Sequence, residues 1–179
     1  MSNKIYPIGI QNFEKLREGG YFYIDKTALI YRMVKSGSYY FLSRPRRFGK
    51  SLLISTLEAY FQGKKELFKG LAMEGLEKEW KTHPVLHLDL NAEKYDSPQA
   101  LVEILSRHLT QWEVKYGKGE DEETLSGRFA GVIRRASEQT GCGVVVLVDE
   151  YDKPLLQALG NDSLLDDYRK TLKAFYGVL

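Results

Sequence analysis

Three consecutive residues, Gly49-Lys50-Ser51, and two adjacent carboxylates, Asp149-Glu150, are of types and in an order that could do chemistry. A triphosphate is dense negative charge, and it calls for main-chain N–H donors, a helix N-terminus and a cation. Gly49 removes the Cβ that would hold the backbone away from phosphate. Lys50 is expected to bridge the β- and γ-phosphates as a point charge, and the Ser51 hydroxyl to ligate Mg²⁺. Arg46, Arg47, Phe48 and Leu52 complete the expected nucleotide-binding stretch. Asp149 is expected to hold the magnesium shell through water, and Glu150 to orient and activate the attacking water as a base. These two acids follow Val144 to Val148 directly. Apolar residues bound for the interior should not lead straight into two carboxylates unless those acids have a task or a partner.

The general phosphate-loop pattern is glycine, four residues, then Gly-Lys-Ser/Thr. Here Arg44 stands at the first glycine position, and the loop reads Ser43-Arg44-Pro45-Arg46-Arg47-Phe48. The tripeptide alone arises by chance in roughly one chain in ten of this length, so its surroundings carry the weight. The run Tyr39-Tyr40-Phe41-Leu42 predicts a buried strand before it. Lys50 to about Phe61 predicts an amphipathic helix after it, with Leu53, Ile54, Leu57, Tyr60 and Phe61 inward and Gly63 as the stop.

The remaining elements follow from the same periodicities. Asn12 to Gly20 reads as a short helical turn closed by a glycine pair, and Tyr21 to Ile24 as an extended piece. Asp25 can cap a helix from about Lys26 to Lys35 with Leu29, Ile30, Met33 and Val34 inside, ended by Gly37. Residues 64–82 are charged and helical in part. Val85 to Leu90 is a second strand with Asp89 at its tip. Ser97-Pro98 supplies an N-cap and a proline at the first helical position. That helix keeps Leu101, Ile104, Leu105, Leu109, Trp112 and Tyr116 on one side, and the next keeps Leu125, Phe129, Val132, Ile133 and Ala136 inward as far as Gly141. Val144 to Val148 reads as a central parallel strand covered on both faces, and a last helix occupies roughly 162–176. Strands alternating with helices predict a layered α/β fold with a mostly parallel sheet, whose ligands sit beyond the strands' carboxyl ends. With the two motifs at such ends, a three-layer P-loop NTPase core is expected, residues 1–38 being a lead segment packing on the core and 39–179 a partial P-loop ATPase domain.

Bulk properties exclude several alternatives. With 26 Lys and Arg against 24 Asp and Glu, the net charge of +2 gives no general argument for nucleic acid. Cys142 is the one cysteine, so the chain can form no internal disulfide and no cysteine-based zinc site. Neither a signal-like apolar leader nor a membrane-length apolar run is present, and a cytoplasmic location is expected. Asp25 reads better as an N-cap than as a nucleotide contact. Arg44, Arg46 and Arg47 can reach phosphate or stay solvated; Asp89 can contact the site, or cap a helix or lie in solvent. Asp152 as a second metal ligand is a minor alternative. His83, His87 and His108 lack metal spacing, and Lys64-Lys65 and Arg134-Arg135 read as solvated helix faces.

Three stretches in order, Tyr23-Ile24-Asp25-Lys26-Thr27, Arg44-Pro45-Arg46-Arg47-Phe48-Gly49-Lys50-Ser51-Leu52-Leu53 and Asp149-Glu150-Tyr151-Asp152-Lys153-Pro154, resemble the AAA-ATPase-like family over nearly the whole chain. The Arg-Pro-Arg-Arg loop, unusual for phosphate loops in general, is usual there, and it is also similar to the loop of archaeal-type ATPases of the signal-transduction NTPase group. The resemblance implies an ATP-hydrolysing module with Lys50 and Ser51 as Walker A and Asp149 and Glu150 as Walker B positions. It implies Mg²⁺ with ATP as the cofactor and a C-terminal PD-(D/E)XK nuclease-like domain as a partner outside these residues, together with sensor strands and an arginine finger past Leu179. The strand expected between the loop strand and the acidic strand is missing, so a truncated sheet is expected, completed by a homo-oligomeric or strand-exchanged neighbour. The alternative to hydrolysis is a nucleotide-dependent switch regulating that nuclease-like effector.

Overall fold

The computed structural model describes residues 5–43, 45, 48–91 and 94–179. It is a mixed α/β structure, mostly helical, with two parallel strands paired in one sheet. The chain divides into two compact units, one ending at Val85 and the other running Leu86–Leu179. No helix among the described residues is long and apolar enough to cross a membrane.

The first unit contains α1 (Phe13–Glu18), α2 (Thr27–Ser36), α3 (Lys50–Phe61), a 3-10 turn at Lys65–Phe68 and α4 (Ala72–Leu76). α1 starts where the Asn12 side chain accepts the Lys15 N–H, and it ends at Gly19. It buries Phe13 and Leu16, with the Phe13 ring 5.0 Å from that of Phe68. Polar ties brace this packing against α3 and the turn behind it. The Phe13 N–H donates to Ser55 Oγ at 2.9 Å, Arg17 Nε to the Leu67 carbonyl at 2.7 Å, and Lys64 Nζ meets Glu14 at 2.8 Å. Trp80 closes one side of this cluster, its ring 5.1 Å from that of Phe68 and 5.9 Å from that of Tyr60.

Asp25 does cap α2, from one residue further out than the usual position. Its Oδ1 accepts the Thr27 N–H at 2.8 Å and the Thr27 hydroxyl at 2.7 Å, while Lys26 occupies the N-cap without a side-chain bond. Its Oδ2 accepts the Ala72 N–H at 2.7 Å, so one carboxylate orders the starts of α2 and α4 together. Glu77, just past α4, is 4% exposed. It accepts the Tyr60 hydroxyl, the N–H groups of Lys78 and Glu79, and the Lys35 ammonium at 2.9 Å. Burial pushes this carboxyl up, but the Tyr60, Glu79 and Lys35 donors outweigh burial and hold it at about 2.

Two expectations fail in this unit. Tyr39 to Leu42 forms no strand: the segment lies outside any ladder, and its side chains are exposed, Tyr39 at 81% and Phe41 at 72%. An apolar run becomes a strand only where a partner edge takes up its N–H and C=O groups, and no described strand does so. Leu29, placed inward by helical spacing, is 56% exposed, while Ile30 beside it is buried.

The second unit holds most of β1 (Val85–Asp89), then α5 (Pro98–Tyr116), α6 (Leu125–Thr140), β2 (Val145–Asp149), α7 (Lys153–Gln157) and α8 (Asp162–Tyr176). All six residues expected inward on α5 are buried, as are Phe129, Val132 and Ala136 of α6. They form one core with Leu86, Leu88, Tyr168 and Phe175. Trp112, Phe129 and Phe175 stack in sequence, with centroids 5.7 and 4.4 Å apart. Arg128 of α6 makes a two-pronged pair with Glu113 of α5, at 2.7 and 2.8 Å, and also donates to Ser106 and Thr110.

Ser97 sits at the N-cap of α5 with Pro98 following, but its side chain makes no cap bond; its carbonyl instead accepts the Tyr168 hydroxyl at 2.7 Å. The expectation that β2 is covered on both faces also needs correction. Leu147 is buried, but Val145, Val146 and Val148 are only partly so, because β1 is the ladder partner of β2 among the described residues.

Candidate functional site

Gly49 is the N-cap of α3 and takes φ 76 and ψ 24, the left-handed region. A Cβ built there would meet nothing within 4 Å, so glycine is demanded by the backbone angle and not by crowding. As a glycine this N-cap has no side chain with which to cap α3, whose first turn carries Lys50, Ser51 and Leu52. A twelve-residue helix opening this way gathers main-chain N–H groups and the positive end of its dipole at its first turn. Lys50 to Leu52 are partly buried, and Phe48 is 63% exposed in front of them. Arg44, Arg46 and Arg47 lie outside the described residues; Pro45 is exposed.

The acidic pair stands at the carboxyl end of β2. Asp149 is 8% exposed, and its Oδ1 accepts the Glu150 N–H at 3.0 Å. Glu150 is partly exposed and has φ 53, a left-handed angle at a residue that is not glycine. It is the first residue of a turn closed by the Lys153 N–H donating to the Glu150 carbonyl at 3.0 Å. The neighbouring strand ends beside it: the Leu90 N–H donates to the Asp149 carbonyl at 3.1 Å. Asp89 is exposed, and its Oδ1 accepts the Asn91 N–H at 2.8 Å. The Asp89 carbonyl is 3.2 Å from His108 Nε2, and burial holds that imidazole below the usual histidine range. Asp152 is the N-cap of α7 without a side-chain cap bond.

The expected site residues therefore fall in two groups. Phe48 to Leu52 are contiguous at the start of α3 in the first unit; Asp149 and Glu150 share a strand end in the second. Sequence reasoning missed Asn91 and Lys153 as members of the acidic end. Lys153 Nζ donates to the main-chain oxygen of Asn91 and to its Oδ1, the latter at 3.0 Å. The signal was present, since Lys153 lies inside the stretch Asp149 to Pro154, but its partner is 62 residues away.

Chemically, the first group suits an anion with several oxygens and the second suits water or a hard cation. Among the described residues no three His, Cys, Asp or Glu side chains gather as a metal-holding group. Mg²⁺ needs none: it keeps waters and phosphate oxygens and takes one or two protein groups. The Ser51 hydroxyl in the first unit and, separately, the Asp149 carboxylate in the second are each oxygen donors of the hardness it takes.

The sequence model of the AAA-ATPase-like family, described as "Predicted AAA-ATPase", matches residues 7–179. The chain belongs to this family. It is also 41% identical over 180 residues to an uncharacterized protein in the vnfD 5′ region of Azotobacter chroococcum mcd 1; the match takes in 100% of this chain and 35% of the relative. The chain thus spans about a third of the length of the curated relative it matches. No solved structure matches it significantly. Family membership bears on the phosphate-loop stretch and the acidic stretch alike, since both lie within the matched residues.

Proposed function

We propose that this chain is an ATP·Mg-binding P-loop ATPase module that hydrolyses the γ-phosphate by attack of water. The observation that carries the reading is the left-handed Gly49 opening directly into a helix whose first residues are Lys50 and Ser51. In this reading residues 39–179 are part of a three-layer α/β core and 1–38 a lead segment packed on it. The main-chain N–H groups of residues 49–52 and the Lys50 ammonium hold the phosphates, with Arg46, Arg47 and Phe48 beside them. Ser51 and Asp149 are the residues that would hold Mg²⁺, and the ion would supply charge neutralisation for the phosphates. Glu150 accepts the proton of the attacking water. Because the transition state is loose, most of the acceleration comes from positioning and charge neutralisation.

Titration calorimetry with ATP and Mg²⁺ tests this. Lys50→Ala is expected to abolish binding, while Glu150→Gln binds as the wild type does and loses turnover. Equal ATP affinity in wild type and Lys50→Ala overturns the assignment.

A second reading is favoured by one observation, the relative's extra length. ATP binding would then regulate an attached effector, nuclease-like by family resemblance, with little hydrolysis by these residues alone. Single-turnover hydrolysis by this chain, with and without the remainder of the longer protein, separates the two.

A further inference from the structure

We propose that Lys153 is a positioning residue for Glu150, acting through Asn91; the inference rests on the hydrolytic reading above. Glutamate disfavours the left-handed backbone region, where its Cβ crowds the following carbonyl. A residue kept there at a strand end beside another acid is held by its surroundings, and such outliers gather at working sites. The surroundings are specific. The Glu150 N–H is bound by Asp149 Oδ1, and its carbonyl accepts the Lys153 N–H. The Lys153 side chain then crosses to the loop after β1 and grips Asn91 through its main-chain oxygen and Oδ1. That loop returns to the start, because Leu90 donates to the Asp149 carbonyl. The result is a closed ring of hydrogen bonds through both strand ends, with the Glu150 backbone inside it.

The ring gives lysine a task that no capping role requires. α7 starts without any side-chain cap, so Lys153 serves the loop after β1 through its ammonium and the Glu150 turn through its main chain. Loss of the ammonium opens the ring between the Lys153 end of the turn and the loop after β1. The Glu150 carboxylate then samples orientations that do not face water and phosphate together. Misplacement of about 1 Å costs a reacting group about a hundredfold in rate.

The test uses the whole chain as wild type, Lys153→Met and Lys153→Arg. Amide hydrogen exchange is read at residues 150–153, nucleotide affinity with a fluorescent ATP analogue and Mg²⁺, and hydrolysis under single turnover. Expected for Lys153→Met are exchange about tenfold faster in that segment alone, hydrolysis slowed by about tenfold to a hundredfold, and affinity unchanged. Lys153→Arg, which keeps charged donors, is expected to recover most of both losses. Unchanged exchange in Lys153→Met overturns the proposal, as does faster exchange with unaltered hydrolysis or a loss confined to affinity. A wild type that binds but never hydrolyses ATP overturns it too, and that outcome is recognised from the wild type alone as failure of the underlying reading.

Discussion

The main-chain N–H of Glu150 donates to Oδ1 of Asp149 at 3.0 Å, so one acid of the pair fixes the backbone of the other. Glu150 meanwhile sits at φ 53. Asparagine tolerates that angle far better than glutamate. Glu150→Asn is therefore expected to raise stability by about 0.5–1 kcal/mol while lowering single-turnover hydrolysis by about a hundredfold or more. Thermal unfolding and rapid-quench kinetics on one preparation decide it; a less stable variant argues against backbone strain at this position.

Gly49 offers a contrast between two glycines of the first unit. At Gly49 a Cβ meets no atom, yet φ is 76. Gly49→Ala is expected to destabilise by about 1–2 kcal/mol through the backbone alone and to weaken ATP binding about tenfold or more. Gly75, inside α4, also has open space around it but no left-handed angle. Gly75→Ala is expected to stabilise by about 0.5–1 kcal/mol. Urea midpoints that move the same way in both variants contradict this.

Glu77 predicts an acid-side change in stability. Its carboxyl lies at about 2 in the folded chain against 4.5 when unperturbed. A depressed folded value means the stabilisation is complete above about pH 4.5 and is lost as pH falls toward about 2. Glu77→Gln is expected to cost about 2 kcal/mol at neutral pH, with the gap to wild type closing across that window. A gap that stays constant on acidification assigns the loss to packing instead.

The Arg128–Glu113 pair tests geometry separately from charge. Both side chains are largely buried, and the guanidinium makes two parallel bonds to the carboxylate as well as reaching Ser106 and Thr110. Arg128→Lys keeps the charge but cannot reproduce the fork. A loss of about 2–3 kcal/mol is expected. A cost below about 0.5 kcal/mol, typical of surface positions, indicates a pair of no structural weight.

Legibility in the sequence varied with the range of the forces involved. α3, α5, α6 and α8 could be read from helical spacing because a long amphipathic stripe is written locally. Gly37, Gly63 and Gly141 marked the ends of α2, α3 and α6, because a glycine stop is likewise a local signal. Tyr39 to Leu42 could not be resolved this way: its composition suits a strand, but pairing depends on residues far along the chain. Leu29 failed because a helix as short as α2 has a narrow buried stripe, centred on Ile30. At the candidate site, residue types identified Gly49, Lys50, Ser51, Asp149 and Glu150 as the residues to follow. They were silent on Lys153 meeting Asn91, since a lysine's reach is invisible until the two strand ends are neighbours.

Of the protein's two tryptophans, Trp80 lies against Tyr60 and Phe68 in the first unit and Trp112 against Phe129 in the second. Each unit thus carries its own intrinsic fluorophore in a distinct aromatic environment. Replacing either with phenylalanine leaves a single emitter, so the melting of the phosphate-loop half and of the acidic half can be followed separately by optical means, without labels.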